Sequence, residues 1–118
     1  MTNQEAFDKM MEHLRSLKAR SLSPLGVCAY NGSKCAVGAL MTDEEQEKFG
    51  YSEEEVYFLL RQMQAVGHKS TLHTLEIDFL TKMQWLHDNK DSWSGEGFDA
   101  EDKAKRVAEQ FNLTYTNP

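Results

Sequence analysis

The sequence predicts a mainly α fold: about five helices packed as one small globular bundle, with a two-stranded β-hairpin after the first helix. Three observations carry this. Apolar residues recur at spacings of three and four along most of the chain. Capping residues and Gly or Pro breakers divide that pattern into segments. Asn31-Gly32, the strongest short hairpin-turn signal, sits between two short runs that hold Val27, Tyr30 and Val37.

The elements follow in order. Thr2 with Glu5 forms a capping box, and Phe7, Met10, Leu14 and Leu17 then mark one apolar stripe of a helix running to about Arg20. Pro24 and Gly26 break it. Val27 to Tyr30 and Lys34 to Val37 read as the two strands of the hairpin, which needs helices to pack on because two strands alone are marginal. Thr42 with Glu45 opens a short helix that ends at Gly50. Ser52 with Glu55 opens the next, with Val56, Leu59, Leu60 and Met63 inward and Gly67 closing it. Thr71 opens the longest helix, whose Leu72, Leu75, Phe79, Met83 and Leu86 are widened by Ile77 and Leu80 into a face buried on two sides. Asp91 to Gly97 is a polar loop around Trp93, and Asp99 caps a last helix with Ala104, Val107, Ala108 and Phe111 inward. From Thr114 the tail reads as frayed. No repeat or long linker divides the 118 residues, so residues 1–118 read as one domain.

Composition narrows the function classes. With 40% hydrophobic and 27% charged residues the chain is globular rather than disordered. No apolar run is long enough for a membrane span, and the polar opening Thr2-Asn3-Gln4-Glu5 is not a signal peptide. The expected location is therefore the cytoplasm, with no membrane partner. Asp43, Glu44, Glu45, Glu47, Glu53, Glu54 and Glu55 face only Lys48, so this segment alone accounts for the chain's net charge of -6. Without a basic stripe, direct nucleic-acid binding is not expected. A partner with a basic surface is the fitting one, with Asp43, Glu44, Glu47, Glu53 and Glu54 as candidate contacts. The competing explanation is structural, since acids in a first helical turn complement the helix dipole.

Two cysteines make no disulfide framework. Cys28 and Cys35 flank the Asn31-Gly32 turn with six residues between them, wider than a zinc knuckle, so a bridge, a two-sulfur metal contribution and free thiols all stay open. His73 and His87 are separated along one helix by roughly 21 Å and cannot share an ion. No metal and no cofactor is therefore expected. A catalytic alternative pairs Cys28 or Cys35 with His87 as base and Asp88 as orienter. Asp88 projects about 100° from His87 while the helix continues, and orients it better if the helix ends there. No P-loop, GxGxxG, HExxH or GxSxG pattern is present, which weighs against an enzyme. Trp85 and Trp93 read as cover for the hairpin, with a role as partner anchors as the alternative.

Residues 26 to 43 read GVCAYNGSKCAVGALMTD, and Met83 to Asp88 read MQWLHD. This chain resembles a family of small uncharacterised bacteriophage and prophage proteins. Their pattern is a Cys-x-Tyr-x-Gly turn, a Lys-Cys-Ala-Val-Gly run, an apolar pair with Asp, and a later Leu-Gln-x-x-His-Asp. Here Met83 stands at the leucine position, the turn is shorter, and Asn31 stands where a basic residue is usual. A ligand role requiring that basic residue therefore does not carry over. The resemblance spans about 25 residues specifically and implies a phage origin but no activity. It singles out Cys28, Tyr30, Gly32, Cys35, Gly38, Gln84, His87 and Asp88. The expected function is that of a phage-type accessory protein acting non-enzymatically on a host protein, with Tyr30 and Gln84 joining the acids as candidate contacts. The alternative is a small-ligand or Cys-based site of Cys28, Cys35 and His87. A homodimer is compatible with either.

Overall fold

The computed structural model describes residues 1–18, 35–50 and 55–118. Among them run five α-helices: α1 (Asn3–Ser16), α2 (Asp43–Phe49), α3 (Val56–Ala65), α4 (Ile77–Asp88) and α5 (Glu101–Gln110). Three short 3-10 helices, Val37–Leu40, Thr71–Thr74 and Lys90–Ser92, join them. A two-stranded antiparallel hairpin, β1 (Trp93–Ser94) and β2 (Gly97–Phe98), lies between α4 and α5, pairing Trp93 with Phe98 and Ser94 with Gly97.

The mainly helical class holds, and the described residues include a two-stranded hairpin between α4 and α5, while the Asn31-Gly32 turn about which the sequence places a hairpin lies outside them. Cys28, Tyr30 and Gly32 lie outside the described residues. The return strand expected over Lys34–Val37 is not one where it is described. Ala36 is helical, and the chain continues into the 3-10 helix Val37–Leu40, with Ala39 N–H donating to Cys35 and Ala36 carbonyls. The hairpin that forms uses Ser94-Gly95-Glu96-Gly97 between two aromatics, Trp93 and Phe98, whose rings meet edge to face at 5.5 Å. A hairpin this short is marginal alone. Here Asp99 N–H donates to the Ser92 carbonyl at 2.7 Å and Trp93 Nε1 donates to the His87 carbonyl at 2.8 Å.

The helix α4 is the centre. It packs against α1, α3, α5 and the 3-10 helix Val37–Leu40. Phe79, Leu80, Met83 and Leu86 are fully enclosed, as the sequence stripe requires, whereas Ile77 remains 41% exposed at the helix start. The helix is shorter than its apolar pattern. Ser70 accepts the Leu72 N–H, and His73 Nδ1 accepts the Ser70 N–H. This local turn competes with helix propagation, and Leu75 is extended. Among the described residues the longest helix is instead α1, which buries Ala6, Phe7, Met10, Met11 and Leu14.

The ends of the helices follow their local chemistry. Thr2/Glu5 and Thr42/Glu45 both form capping boxes. Helix α3 starts at Val56 with Glu55 as its cap residue, and Ser52 lies outside the described residues. Gly67, at φ +73°, ends α3 as expected, with His68 N–H reaching the Met63 carbonyl. Asn112, at φ +60°, does the same for α5, with Leu113 N–H reaching Ala108. Ala100, not Asp99, precedes α5, because the Asp99 backbone is committed to the hairpin exit.

The tail expected to fray is tied down. Gln4 exchanges two hydrogen bonds with the Thr114 backbone, and Arg15 Nη2 donates to the Thr116 carbonyl. Arg15 also makes a two-pronged pair with Glu101 at 2.7 and 3.0 Å, and the Tyr115 hydroxyl donates to the same carboxylate. Burial opposes ionisation of Glu101, but the Arg15 and Tyr115 hydrogen bonds outweigh it and hold its pKa below the ordinary value.

Two expectations follow. Gly97 has φ +121°, and a Cβ there would stand 2.7 Å from the Leu17 carbonyl oxygen. Gly97→Ala should cost about 1–3 kcal/mol, read as a lower urea midpoint. Glu45, 2% exposed, is likewise held below its ordinary pKa: burial opposes ionisation, but Ser70, the Thr42 backbone and His68 outweigh it. For Glu45 and Glu101 the stabilisation is present above the unfolded carboxylate value and is lost as pH falls through the depressed folded value. The urea midpoint should therefore drop between about pH 5 and pH 3. The double variant Glu45→Gln/Glu101→Gln should flatten that slope while being less stable at pH 7.

Candidate functional site

The residues singled out by chemistry fall into two places. One is the C-terminal half of α4 against the 3-10 helix Val37–Leu40. A helix interior spacing of three and four puts Gln84, His87 and Asp88 along one side. Gln84 is 7% exposed and His87 fully buried. Gln84 Oε1 accepts the Val37 N–H at 3.0 Å, and its Nε2 donates to Asp88 Oδ1 at 3.0 Å. The same Asp88 oxygen accepts from His87 Nδ1 at 2.8 Å. The helix ends at Asp88, so this carboxylate does turn back onto His87. Trp93 covers the imidazole edge to face at 5.8 Å.

Cys35 enters the same cluster from the other side. It is fully buried, and its thiol has the Gly38 backbone and the Gln84 side chain as hydrogen-bonding neighbours. Burial pushes the thiol up to about 12; those hydrogen bonds pull the other way without overcoming it, and the Asp88 charge adds to the rise. A thiol so placed is almost wholly protonated at neutral pH and is a poor nucleophile. The residue types of a cysteine–histidine–aspartate site are thus brought together, but the thiol is built into the core rather than activated. Cys28 lies outside the described residues. Among the described residues no group of three or more His, Cys, Asp or Glu is placed to hold a metal ion.

The other place is the outer surface of α2. Asp43, Glu44 and Glu47 are exposed, and Glu44 pairs with Lys48 at 2.8 Å. Glu45 does not belong with them: it is buried, caps the Thr42 N–H and takes His68 Nε2 at 2.8 Å, while Phe49 packs on the His68 ring. Glu53 and Glu54 lie outside the described residues, and Glu55 is exposed.

Sequence reasoning missed the outer face of α3. Tyr57 and Phe58 are 47% and 52% exposed and meet edge to face at 5.4 Å. The signal was available: neither falls on the Val56, Leu59, Leu60, Met63 stripe. The two tryptophans separate. Trp93 packs within the hairpin, whereas Trp85 is 45% exposed with Lys103 Nζ 5.5 Å from its ring. No helix among the described residues is long and apolar enough to cross a membrane. Comparison with protein-family models, curated proteins and solved structures finds no match to this chain.

The buried thiol gives a direct expectation. With alkylated cysteines located by peptide mass spectrometry at pH 7.5, Cys35 should stay unmodified in the native protein and react within minutes once urea is added. Rapid native labelling of Cys35 would mean a reactive thiol.

Proposed function

We propose that this protein works without catalysis, by binding another protein. The observation that carries the reading is the pair Tyr57 and Phe58, which α3 turns outward in mutual contact although it buries four other apolar side chains. Tyrosine and phenylalanine in such a position are anchors of the kind that carry binding energy in protein interfaces. The exposed acids Asp43, Glu44 and Glu47 support a partner with a basic surface, drawn in by charge. The enclosure of Cys35 and His87 supports binding over the Cys-based alternative. The motif resemblance supports a phage-type accessory protein, acting in the bacterial cytoplasm on a host protein. A second copy of the chain is the competing occupant of the same apolar pair.

Affinity capture from bacterial lysate tests this, with two variants beside the parent protein. Phe58→Ser removes the exposed anchor, and Asp43→Asn/Glu44→Gln/Glu47→Gln removes the charge while leaving the Thr42/Glu45 cap intact. One stoichiometric partner is expected, lost at least tenfold by Phe58→Ser and released by moderate salt in the parent. Capture unchanged by both variants would reject these surfaces, and a concentration-dependent dimer broken by Phe58→Ser would make the partner a second copy.

A further inference from the structure

A separate cavity of about 320 Å³ opens between α3 and the Thr71–Ile77 connection. Its lining includes Tyr57, Leu60, Arg61, Gln64, His73 and Ile77. The walls are mainly apolar, and the charge in them is of one sign. His73 Nδ1 accepts the Ser70 N–H and Nε2 then donates to the Leu60 carbonyl at 3.3 Å, so both ring nitrogens are occupied within the protein. Arg61 supplies the positive charge. Its guanidinium carbon stands 5.9 Å from the centre of the Tyr57 ring, and it has no carboxylate partner among the described residues. A contact with a tyrosine ring uses no N–H hydrogen bond, so the guanidinium keeps its fork of N–H donors to take an oxyanion. Gln64 adds an amide beside it.

We propose that this cavity binds a small free carboxylic acid with an aliphatic or aromatic body, its carboxylate on Arg61 and its apolar end against Leu60, Leu75 and Ile77. Charge complementarity selects the anion. Size selects a free molecule over a stretch of chain, because the volume lies at the low end of small-ligand pockets, which run from about 300 to 1,000 Å³. The site adjoins the protein-binding surface proposed above and shares Tyr57 with it, whereas Phe58 and the α2 acids, the residues changed to test that reading, do not line the cavity.

The test is an amide NMR titration of the full chain with phenylacetate and with 4-methylpentanoate, following Arg61, Gln64, Leu75 and Ile77 together with the Arg61 side-chain Nε–H. Both acids should shift these signals saturably below 10 mM. Phenylacetamide, which keeps the shape and lacks the charge, should bind at least tenfold more weakly. Arg61→Gln should weaken phenylacetate by a similar factor, roughly what loss of one charge-assisted hydrogen bond gives. Arg61 is exposed, so the fold should survive the change, and unchanged amide dispersion would verify it. Absence of saturable shifts, equal binding of the amide, or an Arg61→Gln protein that binds phenylacetate as before would each overturn the proposal. So would a leucine-terminated tetrapeptide binding tenfold tighter than either acid, which would make the occupant a chain terminus.

Discussion

The side chain of Gln84 is the interaction on which the rest depends. A polar residue in the most buried part of α4 is costly unless every group finds a partner. Gln84 meets that condition by joining two segments far apart in sequence: its oxygen takes the Val37 N–H and its nitrogen serves Asp88. The first turn of a 3-10 helix has backbone N–H groups with no partner inside the helix. Without Gln84 the Val37 N–H would be buried and unpaired, at about 1–3 kcal/mol. The bond thereby fixes how Cys35 to Met41 lies on α4. Asp88, held by Gln84, in turn holds His87, and the His87 carbonyl receives Trp93. One chain of hydrogen bonds thus sets both the packing of the Cys35–Met41 segment and the place of the hairpin.

The second constraint is the close approach of α1's end to that hairpin. Gly97 lies against the Leu17 carbonyl at a distance that excludes any side chain, at a φ that only glycine adopts without strain. Arg15, two residues before Leu17, reaches α5 through Glu101 and the tail through Thr116. Helix α1 therefore contacts the first described residues after it, the hairpin and the last residues of the chain. That is why the tail from Thr114 to Thr116 is ordered although nothing in its own composition demands it.

Much of this was legible in the sequence, and the misses have physical causes. Apolar periodicity located α1, α3, α4 and α5, because burial on one face leaves a regular spacing, and α2 was located by its capping box and Gly50. The capping boxes at Thr2 and Thr42 were readable because their partners are three residues away. The hairpin between α4 and α5 was read only as a polar loop, because its strands are two residues long and are secured by tertiary contacts to Leu17, Ser92 and His87 that no local pattern displays. The start of α4 was misjudged for the same kind of reason: Ser70 and His73 form their own turn and end the apolar pattern's claim to be one helix. Of the chemical residues, Gln84, His87, Asp88 and Cys35 do converge, which spacing alone could show only for the three on α4. The separation of Glu45 from its acidic neighbours was also invisible, since it depends on His68 twenty-three residues later.

The distribution of polar residues finally bears on what the molecule does. The groups with chemical potential, a thiol, an imidazole and a carboxylate, sit where their hydrogen bonds hold the core together, and the thiol's burial keeps it protonated. The exposed side chains are elsewhere: Asp43 and Glu47 on α2, Tyr57, Phe58 and Arg61 on α3, and Trp85 on α4. A protein catalysing through its cysteine and histidine would need the opposite arrangement, with a reactive thiol at an open surface. Large aromatic side chains left in water cost solvation free energy that the fold does nothing to recover. Their exposure on a helix that buries its other face well is the arrangement expected when that energy is recovered on binding.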